Sequence, residues 1–124
     1  MNWLLLESCL LLIRVELLMK FRDLQAIHRL VQRLPVSQTH TPASSIDAIC
    51  HAIDLACVLY VKPVLCLQRS AAATVLLRRY GWRAELVIGA QLVPFKSHAW
   101  TEVEGRVVND KPYMSEIYSV LERC

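Results

Sequence analysis

The sequence predicts an α+β fold in which helices come first and a small antiparallel sheet follows. Residues 3–34 contain no Gly or Pro and are rich in Leu, which is typical of helix. After Gly81 the apolar residues change from a helical to an alternating spacing, which is typical of strands. The length of 124 residues suits one domain. We therefore expect a single domain over 1–124, with an N-terminal helical region over 1–35 and a core over 45–124.

The first helical region covers residues 3–34, as one long helix or as two shorter ones. Its charged positions recur near every seventh residue, at Glu7, Arg14, Arg22 and Arg29. Apolar residues fill most of the other positions, so the polar stripe is narrow. We expect this helix to be buried on most sides or to dock on another molecule.

The segment 35–42 (PVSQTHTP) is rich in turn-forming residues and predicts a loop. Ser44 or Ser45 can cap a second helix after this loop, because a serine hydroxyl accepts a hydrogen bond from the first turn. That helix is expected to run to about Tyr60.

A third helix is expected over Cys66–Tyr80, where Gly81 provides a left-handed stop. Three strands are expected after it, over Arg83–Ala90, Ala99–Val103 and Arg106–Asn109. Glu104 and Gly105 form the turn between the last two strands. The tail, Ser115–Arg123, has a weak helical pattern.

Composition excludes several classes of protein. The net charge of +3 is too mild for a nucleic-acid-binding surface. No glycine-rich phosphate loop is present, so we expect no nucleotide and no other cofactor. Charged residues interrupt the first twenty positions, which argues against a transmembrane span or a signal peptide. Five cysteines without paired spacings indicate reduced thiols in the cytoplasm rather than a disulfide framework.

Cys66 opens the third helix and is the first candidate catalytic residue. A thiol there faces unpaired backbone N–H groups and the positive end of the helix dipole, and both favour the nucleophilic thiolate. Five small residues follow over Ser70–Thr74, so this helix can lie close against a sheet. A lone cysteine is more often a small buried packing residue. The interpretation of Cys66 as a nucleophile therefore depends on the side chains that the fold brings beside it.

His98 begins one predicted strand and Asp110 ends its neighbour, so both can meet the helix end across the helix–sheet seam. An imidazole can take the thiol proton, and a carboxylate beside it can orient the ring and stabilise its protonated form. Cys66, His98 and Asp110 together predict a catalytic triad.

The register of the hairpin decides whether His98 and Asp110 share a face. A plain two-residue turn at 104–105 sets His98 opposite Lys111 and leaves Asp110 on the other face. A left-handed bulge at Gly105 moves the register by one residue and sets His98 opposite Asp110. The triad therefore predicts a glycine bulge at Gly105.

Other cysteine, histidine and tryptophan residues give weaker evidence of a functional site. Cys50 and Cys57 lie on one helix face near His51, but zinc sites usually contain cysteine pairs two to four residues apart, so we expect no metal. Trp82 and Trp100 are expected to pack in the core or at the helix–sheet seam.

Two segments, CLQRSAAATVLLRRYGW and ELVIGAQLVPFKSHAWTEVEGRVVND, and the C-terminal tail resemble the leader peptidases of lasso-peptide biosynthesis, which belong to the papain/transglutaminase-like superfamily. The resemblance covers about residues 45–124 and implies a papain/transglutaminase-like core. It implies that Cys66 is the nucleophile, His98 the base and Asp110 the orienting carboxylate. It also implies a precursor peptide as substrate, a leader-binding recognition protein as partner, and a separate lasso cyclase that closes the macrolactam.

Two other functions stay open at this point. The chain could be a catalytically silent module that holds a peptide, or a transglutaminase-like enzyme that transfers an acyl group to an amine. The backbone N–H of Cys66 is one expected oxyanion donor. The second donor is not identifiable, and Gln68 is poorly placed for this role.

Overall fold

The structure is a computed structural model that describes residues 3–21, 29, 46–60, 64–92, 95–110 and 113–124. Within these ranges the longer helices are α1 (Trp3–Phe21), α2 (Ile46–Leu59) and α3 (Cys66–Arg79). The remaining elements are β1 (Ala84–Leu92), β2 (Phe95–Val103), β3 (Arg106–Val107), α4 (Met114–Ile117) and β4 (Ser119–Arg123). The predicted fold class, helices followed by a small antiparallel sheet, is confirmed.

The three long helices pack against one another, and α3 also covers β1 and β2. Small side chains on α3 allow this close approach, since Ala71, Ala72 and Ala73 are completely buried. The α3 helix ends before Gly81, whose φ of 92° confirms the predicted left-handed stop. None of the described helices is long and apolar enough to cross a membrane.

The sheet has the order β3-β2-β1-β4, and every neighbouring pair is antiparallel. β1 and β2 are longer than the predicted strands and pair from Ala84–Val103 to Leu92–Phe95. β3 is shorter than predicted and ends at Val107 instead of Asn109.

The prediction of a helical tail over Ser115–Arg123 was wrong in most of its length. Only Met114–Ile117 is helical, and Ser119–Arg123 forms β4 along the edge of β1. Backbone hydrogen bonds between Leu86 and Cys124, at 2.9 and 3.0 Å, continue this pairing. The free edge of β1 thus overrides the weak helical preference of the tail.

α1 buries one face and exposes apolar residues on another. Its buried face packs in the main core, with Leu11, Leu12 and Val15 almost inaccessible to solvent. Its exposed apolar residues are Trp3, Leu6, Leu10, Ile13 and Leu17.

The charged positions of the first helical region do not form one solvated stripe. Glu7 accepts hydrogen bonds from Tyr80 and Arg79, whereas Arg14 is exposed. Predictions for Arg22, Ser44, Ser45 and the loop 35–42 lie outside the described residues.

The β2–β3 hairpin closes with a plain two-residue turn, because Val103 pairs with Arg106. Both turn residues have positive φ, 52° at Glu104 and 79° at Gly105. This is the backbone of a type I′ turn, whose twist matches that of the strands. The prediction that Gly105 is left-handed is therefore confirmed, but the predicted one-residue bulge was wrong.

Candidate functional site

Cys66 is the first residue of α3. The preceding residue, Leu65, is extended, with φ −74° and ψ 154°, and its side chain does not cap the helix. The first hydrogen bond of the helix runs from the N–H of Arg69 to the carbonyl of Leu65, at 2.9 Å. The N–H groups of the first turn therefore have no partner within the helix and point toward the Cys66 end.

Cys66 and His98 line one pocket of about 150 Å³. The other lining residues come from α3 and the two central strands, namely Leu67, Ile88, Ser97 and Ala99. Among the described residues, no direct hydrogen bond joins the Cys66 thiol and the His98 ring. Catalytic hydrogen bonds are often long before substrate binds.

His98 and Asp110 are in direct contact. Nε2 of His98 lies 2.6 Å from Oδ2 of Asp110, and the two side chains are 25% and 21% exposed. A carboxylate only accepts hydrogen bonds, so Nε2 donates to Asp110. Nδ1 is then the ring nitrogen that can exchange a proton with a group in the pocket.

A bend after β3 brings Asp110 to His98. Val108 continues the ladder by donating its N–H to Thr101, at 3.0 Å. The N–H of Thr101, however, donates to the side-chain oxygen of Asn109, at 2.7 Å. The side-chain oxygen of Asn109 thus replaces the main-chain carbonyl that would accept this hydrogen bond in a regular ladder. The main chain therefore leaves the sheet and bends over residues 108–110. This bend supplies the displacement that the sequence interpretation had assigned to a bulge at Gly105.

Ser70, one turn after Cys66, ties the helix to both strands. Its hydroxyl donates to the carbonyl of Ala99 and accepts from the side-chain amide of Asn109, each at 3.0 Å. Ala99 and Asn109 are the chain neighbours of His98 and Asp110. One buried hydroxyl therefore links the three segments that carry the candidate triad.

Arg69 adds a second link between α3 and the bend. Its guanidinium donates to the backbone carbonyl of Asn109, at 2.6 Å. It also pairs with Asp54 on α2, at 3.0 Å. Arg69 therefore connects the bend to α3, the helix that begins with Cys66.

Comparison with known proteins identifies the family. A family model for the transglutaminase-like superfamily matches residues 9–123. The chain belongs to the transglutaminase-like superfamily. A segment of 56 residues, 45% of the chain, is 45% identical to the microcin J25-processing protein McjB of Escherichia coli. This segment covers 27% of that relative, so the match spans about a quarter of its length. No solved structure matches the chain significantly.

The other thiols of this transglutaminase-like domain differ from Cys66 in their surroundings. Burial, followed by the nearby carboxylate of Asp54, raises the pKa of Cys50 to about 11. Burial also raises the pKa of Cys57 and of Cys124. None of these three thiols lines the pocket with His98. All five cysteines are free.

From the sequence, we expected no metal site and could not identify the second oxyanion donor. In the part of the chain that the structure describes, no three His, Cys, Asp or Glu side chains are grouped to hold a metal ion. Gln68 is buried, and its side-chain amide donates to the carbonyl of Leu12, at 2.9 Å. It holds α1 against α3 and is therefore engaged away from the pocket.

The sequence interpretation missed the linking role of Ser70 and the close packing of other side chains against Gly89. Ser70 was treated only as one of five small residues, and its position one turn after Cys66 was the available signal. Gly89 is a lone glycine in the middle of β1, and such a glycine often marks close approach of another group. Trp100 is fully buried and Trp82 is half-buried against the main core, in agreement with their predicted packing roles.

Proposed function

We propose that the chain is a cysteine endopeptidase that removes the leader from a ribosomally made lasso-peptide precursor. The observation that carries this proposal is the hydrogen bond between His98 and Asp110 at a pocket that also contains Cys66. Similarity to a microcin J25-processing protein supports the class of substrate. Membership of the transglutaminase-like superfamily supports acyl chemistry at a thiol.

In the first step, Sγ of Cys66 attacks the scissile carbonyl carbon while Nδ1 of His98 holds the thiol proton. The carbon–nitrogen bond then breaks, and His98 passes that proton to the leaving amine. The leader remains attached to Cys66 as a thioester. This step separates the core peptide from its leader.

In the second step, His98 takes a proton from water as the water oxygen attacks the thioester carbonyl. The carbon–sulfur bond breaks, the leader leaves as a carboxylic acid, and the thiol regains its proton. Asp110 accepts the Nε2 hydrogen bond throughout and stabilises the imidazolium that forms in each step.

The first turn of α3 supplies the oxyanion donor in this proposal. The backbone N–H of Cys66 precedes the first hydrogen bond of the helix and lies beside the attacking sulfur. A donor at this place stabilises the negative charge that develops on the carbonyl oxygen.

We infer that a leader-binding recognition protein delivers the precursor. The pocket beside Cys66 has a volume of only about 150 Å³, which is small for recognising a whole leader. A separate lasso cyclase would then close the macrolactam. The five free thiols favour the cytoplasm as the place of the reaction.

Acyl transfer to an amine is a second candidate function, and family membership favours it. The same thioester would form on Cys66, but an amine would attack it in place of water. A catalytically silent peptide-binding module is the third candidate, and the hydrogen-bonded pair His98 and Asp110 argues against it.

The decisive experiment incubates the chain with a lasso-peptide precursor, with and without a leader-binding recognition protein. Mass spectrometry of the products separates the three candidates. A cleaved peptide supports the peptidase, a peptide joined to an amine supports the transferase, and an unchanged peptide supports the binding module. The Cys66→Ala variant should leave the peptide intact in every mixture.

A further inference from the structure

The His98 ring belongs to a group of three neighbouring aromatic rings and is stacked with the other two. Its centroid lies 5.4 Å from the ring of Tyr118, at an interplanar angle of 25°. It lies 6.1 Å from the ring of Trp100, at 27°. Trp100 and Tyr118 are themselves 6.1 Å apart. Aromatic pairs within 7 Å in such orientations attract each other beyond their burial.

Gly89 provides the space that this group of rings needs. It pairs with His98 across β1 and β2. A Cβ added at Gly89 would lie 2.8 Å from the Trp100 ring and 2.9 Å from Cβ of Tyr118. Both distances are shorter than contacting carbons allow. A side chain at position 89 would therefore displace Trp100 or Tyr118 from beside His98.

Contacts on both sides of Tyr118 hold it in place. At the end of α4, the N–H of Tyr118 donates to the carbonyl of Met114, at 3.0 Å. At the end of β4, Arg123 pairs with the buried carboxylate of Glu102, at 2.5 Å. Glu102 also accepts a hydrogen bond from Nε1 of Trp100, at 2.8 Å. The strand and the tryptophan are therefore connected through one carboxylate.

We propose that Tyr118 is a positioning residue that holds the His98 ring with Nε2 on Asp110 and Nδ1 toward the Cys66 pocket. The tyrosine ring covers one face of the imidazole and restricts its rotation. Because Gly89 has no side chain, it leaves space for the tyrosine ring. This inference rests on the proposed function and adds Tyr118 to the catalytic site as a positioning residue.

The hydroxyl of Tyr118 has no hydrogen-bond partner among the described residues, so the aromatic ring alone is assigned the positioning role. Tyr118→Phe should keep the turnover of the parent chain. Tyr118→Ala should lower kcat by about 3- to 10-fold with little change in KM, which corresponds to the loss of one or two aromatic contacts. Gly89→Ala should change kcat in the same direction. Leu121→Ala, which alters an exposed residue of β4 outside the rings, is the matched control.

NMR of the imidazole nitrogens provides a readout that does not need a substrate, with His98 assigned by comparison with His98→Gln. In the parent chain and in Tyr118→Phe, His98 should be held in one tautomer with its proton on Nε2. In Tyr118→Ala the two tautomers should mix. Unchanged tautomer and kcat in Tyr118→Ala would overturn the inference, as would equal losses in Tyr118→Ala and Leu121→Ala.

The same pair of measurements separates this inference from the proposed function. If the parent chain leaves the precursor intact but Tyr118→Ala still mixes the His98 tautomers, the peptidase proposal fails and the positioning role stands. If the parent chain cleaves and Tyr118→Ala keeps both tautomer and kcat, the positioning role alone fails.

Discussion

Nε2 of His98 lies 2.6 Å from Oδ2 of Asp110, although their hairpin has a register that directs these two side chains to opposite faces. The contact forms because the chain bends after Val108. Asn109 stabilises the bend because its side-chain oxygen accepts a hydrogen bond from the N–H of Thr101.

Asp110→Asn should lower the rate of leader removal while keeping the fold. The amide can still occupy the space, but it cannot stabilise the imidazolium of His98. The equivalent change in a serine protease costs about 10⁴ in kcat, and we expect a loss between about 10-fold and that value. Single-turnover cleavage of the precursor measures this loss. Unchanged turnover would remove Asp110 from the mechanism.

Ser70→Ala should reduce both stability and activity, because it leaves the Ala99 carbonyl and the Asn109 amide without their buried partner. Each such loss costs about 1–3 kcal/mol in unfolding free energy. Ser8→Ala is the matched control, since it removes a buried hydroxyl that bonds within α1, far from the bend. Denaturant unfolding and cleavage rates check both variants. Equal loss of activity in the two would contradict a role for Ser70 in the site.

Gly105→Val should destabilise the chain more than Gly105→Asn. A Cβ at Gly105 meets no atom within 4 Å, so the cost comes only from its φ of 79°. Asn tolerates that region and a β-branched residue does not, and strain of this kind costs about 1–3 kcal/mol. Thermal unfolding of the two variants checks the order. Identical melting temperatures would show that the turn can adopt another backbone conformation without loss of stability.

Iodoacetamide should label Cys66 faster than Cys50 near pH 7.5. Burial raises the pKa of Cys50 to about 11, so its thiol stays protonated until the pH approaches that value. Labelling of Cys50 in the folded chain should therefore increase only in strongly alkaline solution. Peptide mapping of alkylated protein follows each cysteine separately. Equal rates for the two thiols at pH 7.5 would argue against an activated Cys66.

Leu10→Glu should impair cleavage that depends on the recognition protein, since Leu10 is 57% exposed within the apolar face of α1. Exposed apolar groups of this kind often mark partner sites. Val58→Glu is the matched control, because Val58 is 79% exposed on α2, outside that face. Precursor cleavage with increasing recognition protein measures the effect. Equal behaviour of the two variants would show that this face of α1 is not the contact.

Local signals in the sequence predict the long helices, the first three strands and the candidate triad. Leu-rich residues without Gly or Pro predict helix, and Gly81 predicts the end of α3, because these signals depend on backbone preferences of nearby residues. Cys66 at a helix start and His98 on a strand are local patterns as well.

The contact between His98 and Asp110 depends on residues from distant parts of the chain. The bend at Asn109 needs Thr101 from β2 and Ser70 from α3, which are distant in sequence, so no local pattern reveals it. The tail became a strand because β1 offered an unpaired edge. The place of Tyr118 beside His98 depends on the missing side chain of Gly89. Contacts between distant residues set these features, and they exist only once the chain has folded.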